Sequence, residues 1–324
     1  MYITDDSIDD LLFKVFKRIK KSGKQVTPTK GTNLEVLGIN LCLKNPRSRI
    51  SKSLKKGKLF SALGELLWYL TGSNLVDQIS YYIPGYEINS DDGHTIHGAY
   101  GPRLLGSKDH NQIESIIDLL KKKKSTRRAV IQLFRSTDLQ EDYNDIPCTT
   151  NLQFLVRDNH LHMFVNMRSN DAYKGLPHDI FAFTMIQEII ARSLNVKLGY
   201  YHHYAASLHL YQCDLDAVES YLSEGYYPSN PMPAMPNSDP WSSIHHLLKA
   251  EKDIRTGNTL EVEITKLDNY WKDISRVLLW FKKFKSKDDN GCQEIENNLH
   301  HAFYKPYLIS KKMQQRNKKQ LKLI

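Results

Sequence analysis

The sequence predicts a mixed α/β (α+β) fold through about residue 225, followed by a helical C-terminal part. Three observations carry this. Alternating apolar stretches of strand length recur at 34–43, 129–134, 151–157 and 198–211. Apolar stripes of helical period stand between them at 7–21, 59–72 and 179–194. Beyond a proline-rich connector only helical patterns remain.

In chain order, residues 7–21 set Ile8, Leu11, Leu12, Val15, Phe16 and Ile19 on one helical stripe, which Gly23 closes. LEVLGINLCL (34–43) alternates as a strand. LFSALGELLWYLTG (59–72) is a helix of buried type ending at Gly72. Its one charge is Glu65, and a charge among Leu and Trp is expected to be paired or used. SDDGHTIHGAYGPRL (90–104) reads as loop. AVIQLF and NLQFLVR are strands, and Asp158-Asn159 turns the second of them into HLHMFVNMR, a hairpin. In KGLPHDIFAF, Gly175 and Pro177 stop that strand, and Asp179 stands directly ahead of the apolar run Ile180–Phe183. Asp is a favoured N-cap, so the next helix is expected over 179–194. YYPSNPMPAMPNSDPW (226–241) is the connector. Helical patterns follow near 241–252, 261–284 and 292–304, which divides the chain into a body, 1–235, and a helical extension, 236–324. The apolar positions of YWKDISRVLLWFKKF suit packing on the body.

A chain of 324 residues with 40% hydrophobic and 25% charged residues can bury a full core. No apolar run approaches a membrane span, and the N-terminus lacks a signal-peptide pattern, so a cytoplasmic protein without a membrane partner is expected. The four cysteines form no CxxC pair and have no close His at zinc spacing, which points to neither a metal site nor a disulfide frame. The net charge of +9 permits an anionic partner. Much of the excess lies in the tail KKMQQRNKKQLKLI, read as solvated and partly disordered rather than as a grip on nucleic acid.

Cys148, in NDIPCTTNLQF, is either a small buried hydrophobe or a nucleophile. The second reading needs positive charge nearby, because thiolate is the reactive form. Pairing across Asp158-Asn159 returns Arg168 close to the level of Cys148. Arg127 and Arg128 are adjacent and suit a phosphate, or are exposed strand-edge charges. His209 and Tyr211, two apart on a strand, share a face. Tyr100 lies in a Gly-flanked loop.

These stretches, GELLWYLTGSN, HGAYGPR, TRRAV, IPCTTNLQFLV, MRSNDAYKGLPHDIFAF and SLHLYQ, resemble the thymidylate synthase family in order and spacing, over roughly residues 24–215. The resemblance implies a homodimer built on a large twisted mixed sheet flanked by helices. It implies that Cys148 attacks the pyrimidine ring at C6, and that Arg168 and Ser169 bind the nucleotide phosphate with Arg127 and Arg128 of the partner subunit. His209 and Tyr211 would hold the sugar 3′-hydroxyl. Asp171, with Trp68, would contact the cofactor, 5,10-methylenetetrahydrofolate. Glu65, through ordered water, and Tyr100 would serve proton transfer. Covalent addition at C6 makes C5 nucleophilic enough to take a one-carbon unit, after which a base removes the C5 proton.

The sequence departs from the family at telling places. Asp179 stands where the family has Asn. An amide donates to uracil O4 and accepts from N3–H, whereas a carboxyl group accepts from cytosine N4 and shares a proton with N3. That change resembles the deoxycytidylate and cytidylate hydroxymethyltransferases, in which water captures the one-carbon unit on C5. Thr149 replaces the usual His, His178 a Phe, and Ser207 an Asp. The early phosphate loop is replaced by TPTKGTNLEVLG, leaving Lys30, Arg47 and Arg49 as phosphate candidates. The family's closing C-terminal segment has no match in KKQLKLI. The leading expectation is therefore hydroxymethylation of dCMP or CMP. The alternatives are a divergent thymidylate synthase acting on dUMP, and a non-catalytic nucleotide- or RNA-binding protein on the same fold.

Overall fold

The structure, a computed structural model, describes residues 1–28, 31–53, 56–106, 111–258 and 266–320, the last five for their backbone. The elements run β1 (Tyr2–Asp5), α1 (Ile8–Ser22), β2 (Lys24–Val26), β3 (Asn33–Leu43), α2 (Leu59–Leu70), α3 (Val76–Tyr82), α4 (Tyr100–Leu105), α5 (Gln112–Lys122), β4 (Val130–Gln132), β5 (Thr149–Arg157), β6 (His160–Asp171), α6 (Gly175–Ser193), β7 (Lys197–Tyr211) and α7 (Leu215–Ser223). After the connector come α8 (Trp241–Thr256), α9 (Asn269–Lys285), α10 (Asp289–Asn297) and α11 (Lys305–Gln320).

The strands form one mixed sheet in the order β1-β3-β7-β6-β5-β4, with β2 paired to β3. β5 and β6 are the expected hairpin. Asp158 and Asn159 both take positive φ, 49° and 58°, the left-handed pair that a two-residue turn between twisted strands requires. β6 and β7 are parallel and joined through α6, so the loops leaving their carboxyl ends lie side by side. Buried positions alternate along β6: Leu161, Met163, Val165 and Met167 enter the core, while His162, Phe164 and Asn166 take the other face. That second face carries Phe164 stacked on His202 and the exposed Tyr200 and Val130.

Four expectations change. The helix after β6 begins at Gly175, four residues before Asp179. Pro177 stays within the first turn, where a missing N–H costs no intrahelical bond. Asp179 therefore lies in the helix interior and caps nothing, and its side chain is turned to another partner. The stretch 90–104 is not loop throughout: it ends in α4. This turn is fastened by the buried Arg103, which donates to the carbonyls of Leu133 (2.7 Å) and His97 (2.9 Å) and to Asp138. The basic tail is helical to Gln320, anchored by the buried Tyr304 and Leu308 and by an ion pair from Lys312 to Glu296.

The expected helix at 292–304 breaks at Asn298, because the buried Asp273 accepts the N–H groups of His300 (3.0 Å) and His301 (2.8 Å) and turns the chain. Residues 261–265 of the 261–284 pattern lie outside the described residues. The extension packs on the body through Trp280, stacked on Phe60 of α2, and through Glu251, which accepts from Tyr82 of α3. Among the described residues no helix is long and apolar enough to cross a membrane.

Candidate active site

The site gathers at the carboxyl ends of β6 and β7, where an open sheet leaves room for a ligand. Cys148 immediately precedes β5 and bears no disulfide. A one-residue register shift between Thr149 and Asn151 bulges the start of β5, a device that re-aims a side chain. The backbone N–H of Arg168 donates to the carbonyl of Cys148 at 2.8 Å. The Arg168 side chain donates from Nε to Pro147 (3.0 Å) and from an Nη to Ile146 (2.9 Å), so one guanidinium grips the loop that presents the thiol. Ser169 lies level with Ser207, and Asp171 with His209, across the parallel pair. His209 is kept neutral by burial and meets the Tyr211 ring edge-on. Asp171 accepts the N–H groups of Tyr173 (2.8 Å) and Lys174 (3.0 Å), which fixes its carboxylate at the turn into α6.

The opposite wall comes from helices. Tyr100, first residue of α4, accepts two hydrogen bonds on its phenol oxygen, from the Thr149 N–H (3.1 Å) and the Thr149 hydroxyl (2.9 Å). Both lone pairs are then used and the phenol proton is aimed elsewhere. Burial, with the Asp179 and Cys148 groups nearby, holds its pKa well above the ordinary value, so it remains a donor. Glu65 of α2 is half-buried and accepts from Tyr69 (2.9 Å). Its charge reaches Asp179: burial first, then Glu65, push the Asp179 carboxyl up to about 8 against the opposing hydrogen bond from Asn170. At neutral pH Asp179 is therefore mostly protonated.

Asn170 donates to Asp179 Oδ2 at 2.7 Å. Behind it, His203 Nε2 meets Asn170 Oδ1 (3.1 Å) and the Tyr201 hydroxyl meets His203 Nδ1 (2.9 Å). Sequence reading passed over these three residues. It missed Glu35 too, which accepts from Ser207 and stands opposite His209 on β3.

The other expected residues are placed as follows. Arg127 and Arg128 are exposed ahead of β4, away from Cys148 of the same chain. With Val130 opposite Gln153, they lie four residues or more along β5 from its start, about 13 Å at strand rise. Trp68 is buried against Tyr69 and Tyr86, and its Nε1 has no hydrogen-bond partner among the described residues. Arg49 is fully buried in an ion pair with Glu188, an arrangement that speaks against the phosphate role. Arg47 donates to the carbonyl of Met232 (3.2 Å) and holds the connector. Lys30 lies outside the described residues.

A mixed sheet that gathers a cysteine, an arginine and facing carboxyls at the end of a parallel pair has the makings of an enzyme's active site. The family model described as thymidylate synthase matches residues 13–270, and the chain belongs to the thymidylate synthase family. It is accordingly an enzyme of the folate-dependent one-carbon transferases, which use methylenetetrahydrofolate. Among its relatives is a deoxyuridylate hydroxymethyltransferase of Delftia phage PhiW-14, 28% identical over 71% of this chain and 68% of the relative. Relatives of the same name occur in Pseudomonas phage M6, 33% identical over 57% of this chain and 52% of the relative, and in Bacillus phage SP01, 28% identical over 64% and 58%. The chain thus spans little more than half the length of the last two.

Proposed function

We propose that this protein hydroxymethylates a cytosine nucleotide, dCMP or CMP, at C5. The observation that carries this reading is Asp179: a carboxyl held by the Asn170 amide at 2.7 Å and pushed up to about 8 by burial and Glu65, where the resemblance to the family leads to an amide. Its O–H donates to cytosine N3 and its carbonyl oxygen accepts from N4–H₂. Cys148 adds to C6, with Arg168 holding the nucleophile's loop and, with Ser169, meeting the phosphate. His209 and Tyr211 take the sugar hydroxyl. Tyr100 supplies a hydrogen-bond donor beside the nucleophile, and Glu65 serves as the base for the C5 proton. The residues present fit the folate: Asp171 offers an acceptor held by two backbone N–H groups, and the buried indole nitrogen of Trp68 has no partner among the described residues. Bound methylenetetrahydrofolate would supply the one-carbon unit and leave as tetrahydrofolate, water would supply the hydroxyl, and the Cys148–C6 bond breaks to release the product.

The chain is read as a cytoplasmic homodimer. The sheet face bearing Phe164, His202, Tyr200 and Val130 supports this, as does the exposure of Arg127 and Arg128, which suits service at a partner's phosphate site. The extension after residue 235 is read as an addition to the catalytic body.

A second reading has its own support. The phage relatives carry the name of deoxyuridylate hydroxymethyltransferases, and a protonated carboxyl can also donate to uracil O4 and accept from N3–H. Incubation with methylenetetrahydrofolate and dCMP, CMP or dUMP, with products identified by mass spectrometry, decides. A hydroxymethylated cytosine nucleotide is expected. Hydroxymethylated dUMP would move the reading to uracil. Methylated dUMP with dihydrofolate would make the protein a thymidylate synthase, and no turnover by folded protein would favour a binding role.

A further inference from the structure

A carboxyl group has a weakness as a reader of bases. An amide has its donor and acceptor fixed by covalent structure, whereas the proton of a neutral carboxyl can sit on either oxygen. In one arrangement it suits cytosine, and in the other it suits uracil. A free Asp179 would bind both bases.

Asp179 is not free. His203 is buried, and burial alone lowers its pKa to about 3, so its ring is neutral and carries one N–H. Asn170 turns its Nδ2 to Asp179 Oδ2, so its Oδ1 must accept from His203 Nε2. That places the single ring proton on Nε2, and Nδ1 must accept from the Tyr201 hydroxyl. Every link runs the same way, from Tyr201 through His203 and Asn170 to Asp179. All three donor residues are at most 3% exposed, so water does not compete. Gly175 leaves room for the last link: a Cβ there would stand 3.1 Å from Asn170 Nδ2 and 3.5 Å from Asp179 Oδ2.

We propose that Tyr201, His203 and Asn170 are positioning residues, a one-way chain of donors that makes Asp179 Oδ2 a permanent acceptor and so gives the site a single base preference. With Oδ2 occupied by the Asn170 amide, the carboxyl proton resides on Oδ1. The pair Oδ1–H and Oδ2 then presents one fixed order of donor and acceptor to a base held in one orientation. The proposal rests on Asp179 being the base reader, but not on which base it reads.

The test is calorimetric titration of dCMP and dUMP, at a pH of about 6.5, below the Asp179 value, into the wild type, Asn170→Ala and Tyr201→Phe. The wild type is expected to prefer one nucleotide by about 30-fold or more. In Asn170→Ala the preference collapses to about 3-fold, chiefly because the disfavoured nucleotide binds tighter. A purely structural loss would weaken both nucleotides. Tyr201→Phe keeps the ring and frees His203 to change tautomer; it is expected to lower the preference by about 3-fold, and it decides the matter if Asn170→Ala does not fold. A preference unchanged in the variants overturns the chain. So does a wild type that binds both nucleotides equally, or neither. A wild type that prefers dUMP overturns the cytosine reading of Asp179 and leaves the chain standing, to be judged on the variants.

Discussion

Arg168 is bonded to Cys148 through the backbone, its N–H donating to the Cys148 carbonyl at 2.8 Å, while its side chain takes the two preceding carbonyls, Pro147 and Ile146. A cation therefore orders the segment that presents the thiol. Arg168→Ala removes two charge-assisted hydrogen bonds. It is expected to lower kcat/KM by about 100-fold, roughly 3 kcal/mol. Arg168→Lys should restore little, since an ammonium does not reproduce donation from Nε and Nη together. Steady-state kinetics of the two variants checks this.

Cys148→Ser replaces the nucleophile by a hydroxyl of much higher pKa. Turnover is expected to fall by at least about 1000-fold while nucleotide affinity changes by less than about 5-fold. Kinetics paired with calorimetry reads both. Full biological activity in this variant would return the protein to the binding class.

The strands, the hairpin and the turn at Asp158-Asn159 were legible because period and turn chemistry are local. The meeting of Arg168 with Cys148 was legible because a two-residue turn fixes register. Its final adjustment was not: the bulge after Thr149 sets Met167, not Arg168, against Thr149 and brings Arg168 level with Cys148. The start of α6 was misread because Gly and Pro look like a stop, although proline is at home in a first helical turn. Asn170 and His203 could not be found at all. They are far apart in sequence and meet only through the parallel pairing of β6 with β7, which no local pattern announces.

Asp179 makes stability depend on pH in a definite direction. Its carboxyl titrates at about 8 in the native protein against an ordinary 3.8, so the native state holds the proton more firmly than the unfolded chain. The contribution is complete below about pH 4 and is lost as pH rises towards about 8, at no more than about 1.4 kcal/mol per pH unit. Asp179→Asn removes the titration. Thermal melts at pH 6 and 8.5 should show the wild type losing more Tm than the variant over that interval.

Gly64 lies one residue before Glu65 and permits α2 to close on α3. A Cβ at Gly64 would fall 2.1 Å from Cγ of the buried Tyr82, which must then move. Gly64→Ala is expected to cost about 1–3 kcal/mol through overpacking, despite alanine's better helix propensity. Because the displaced helix carries Glu65, kcat should fall as well. Urea unfolding and initial rates measure the two effects.

Asp273 tests how the extension is joined to the body. Its buried carboxylate accepts the N–H groups of His300 and His301 and the His301 ring nitrogen (2.8 Å), and pairs with Arg276. Asp273→Ala strands those donors and is expected to cost about 3 kcal/mol or more. The helix that bears Asp273 also bears Trp280, stacked on Phe60 of α2, two residues of one continuous core. Loss at Asp273 should therefore lower the unfolding midpoint of the whole chain in a single step. Circular dichroism in urea would show one transition shifted to lower concentration. Two transitions, with nucleotide binding surviving the first, would instead mark the helices after residue 235 as a unit that folds by itself.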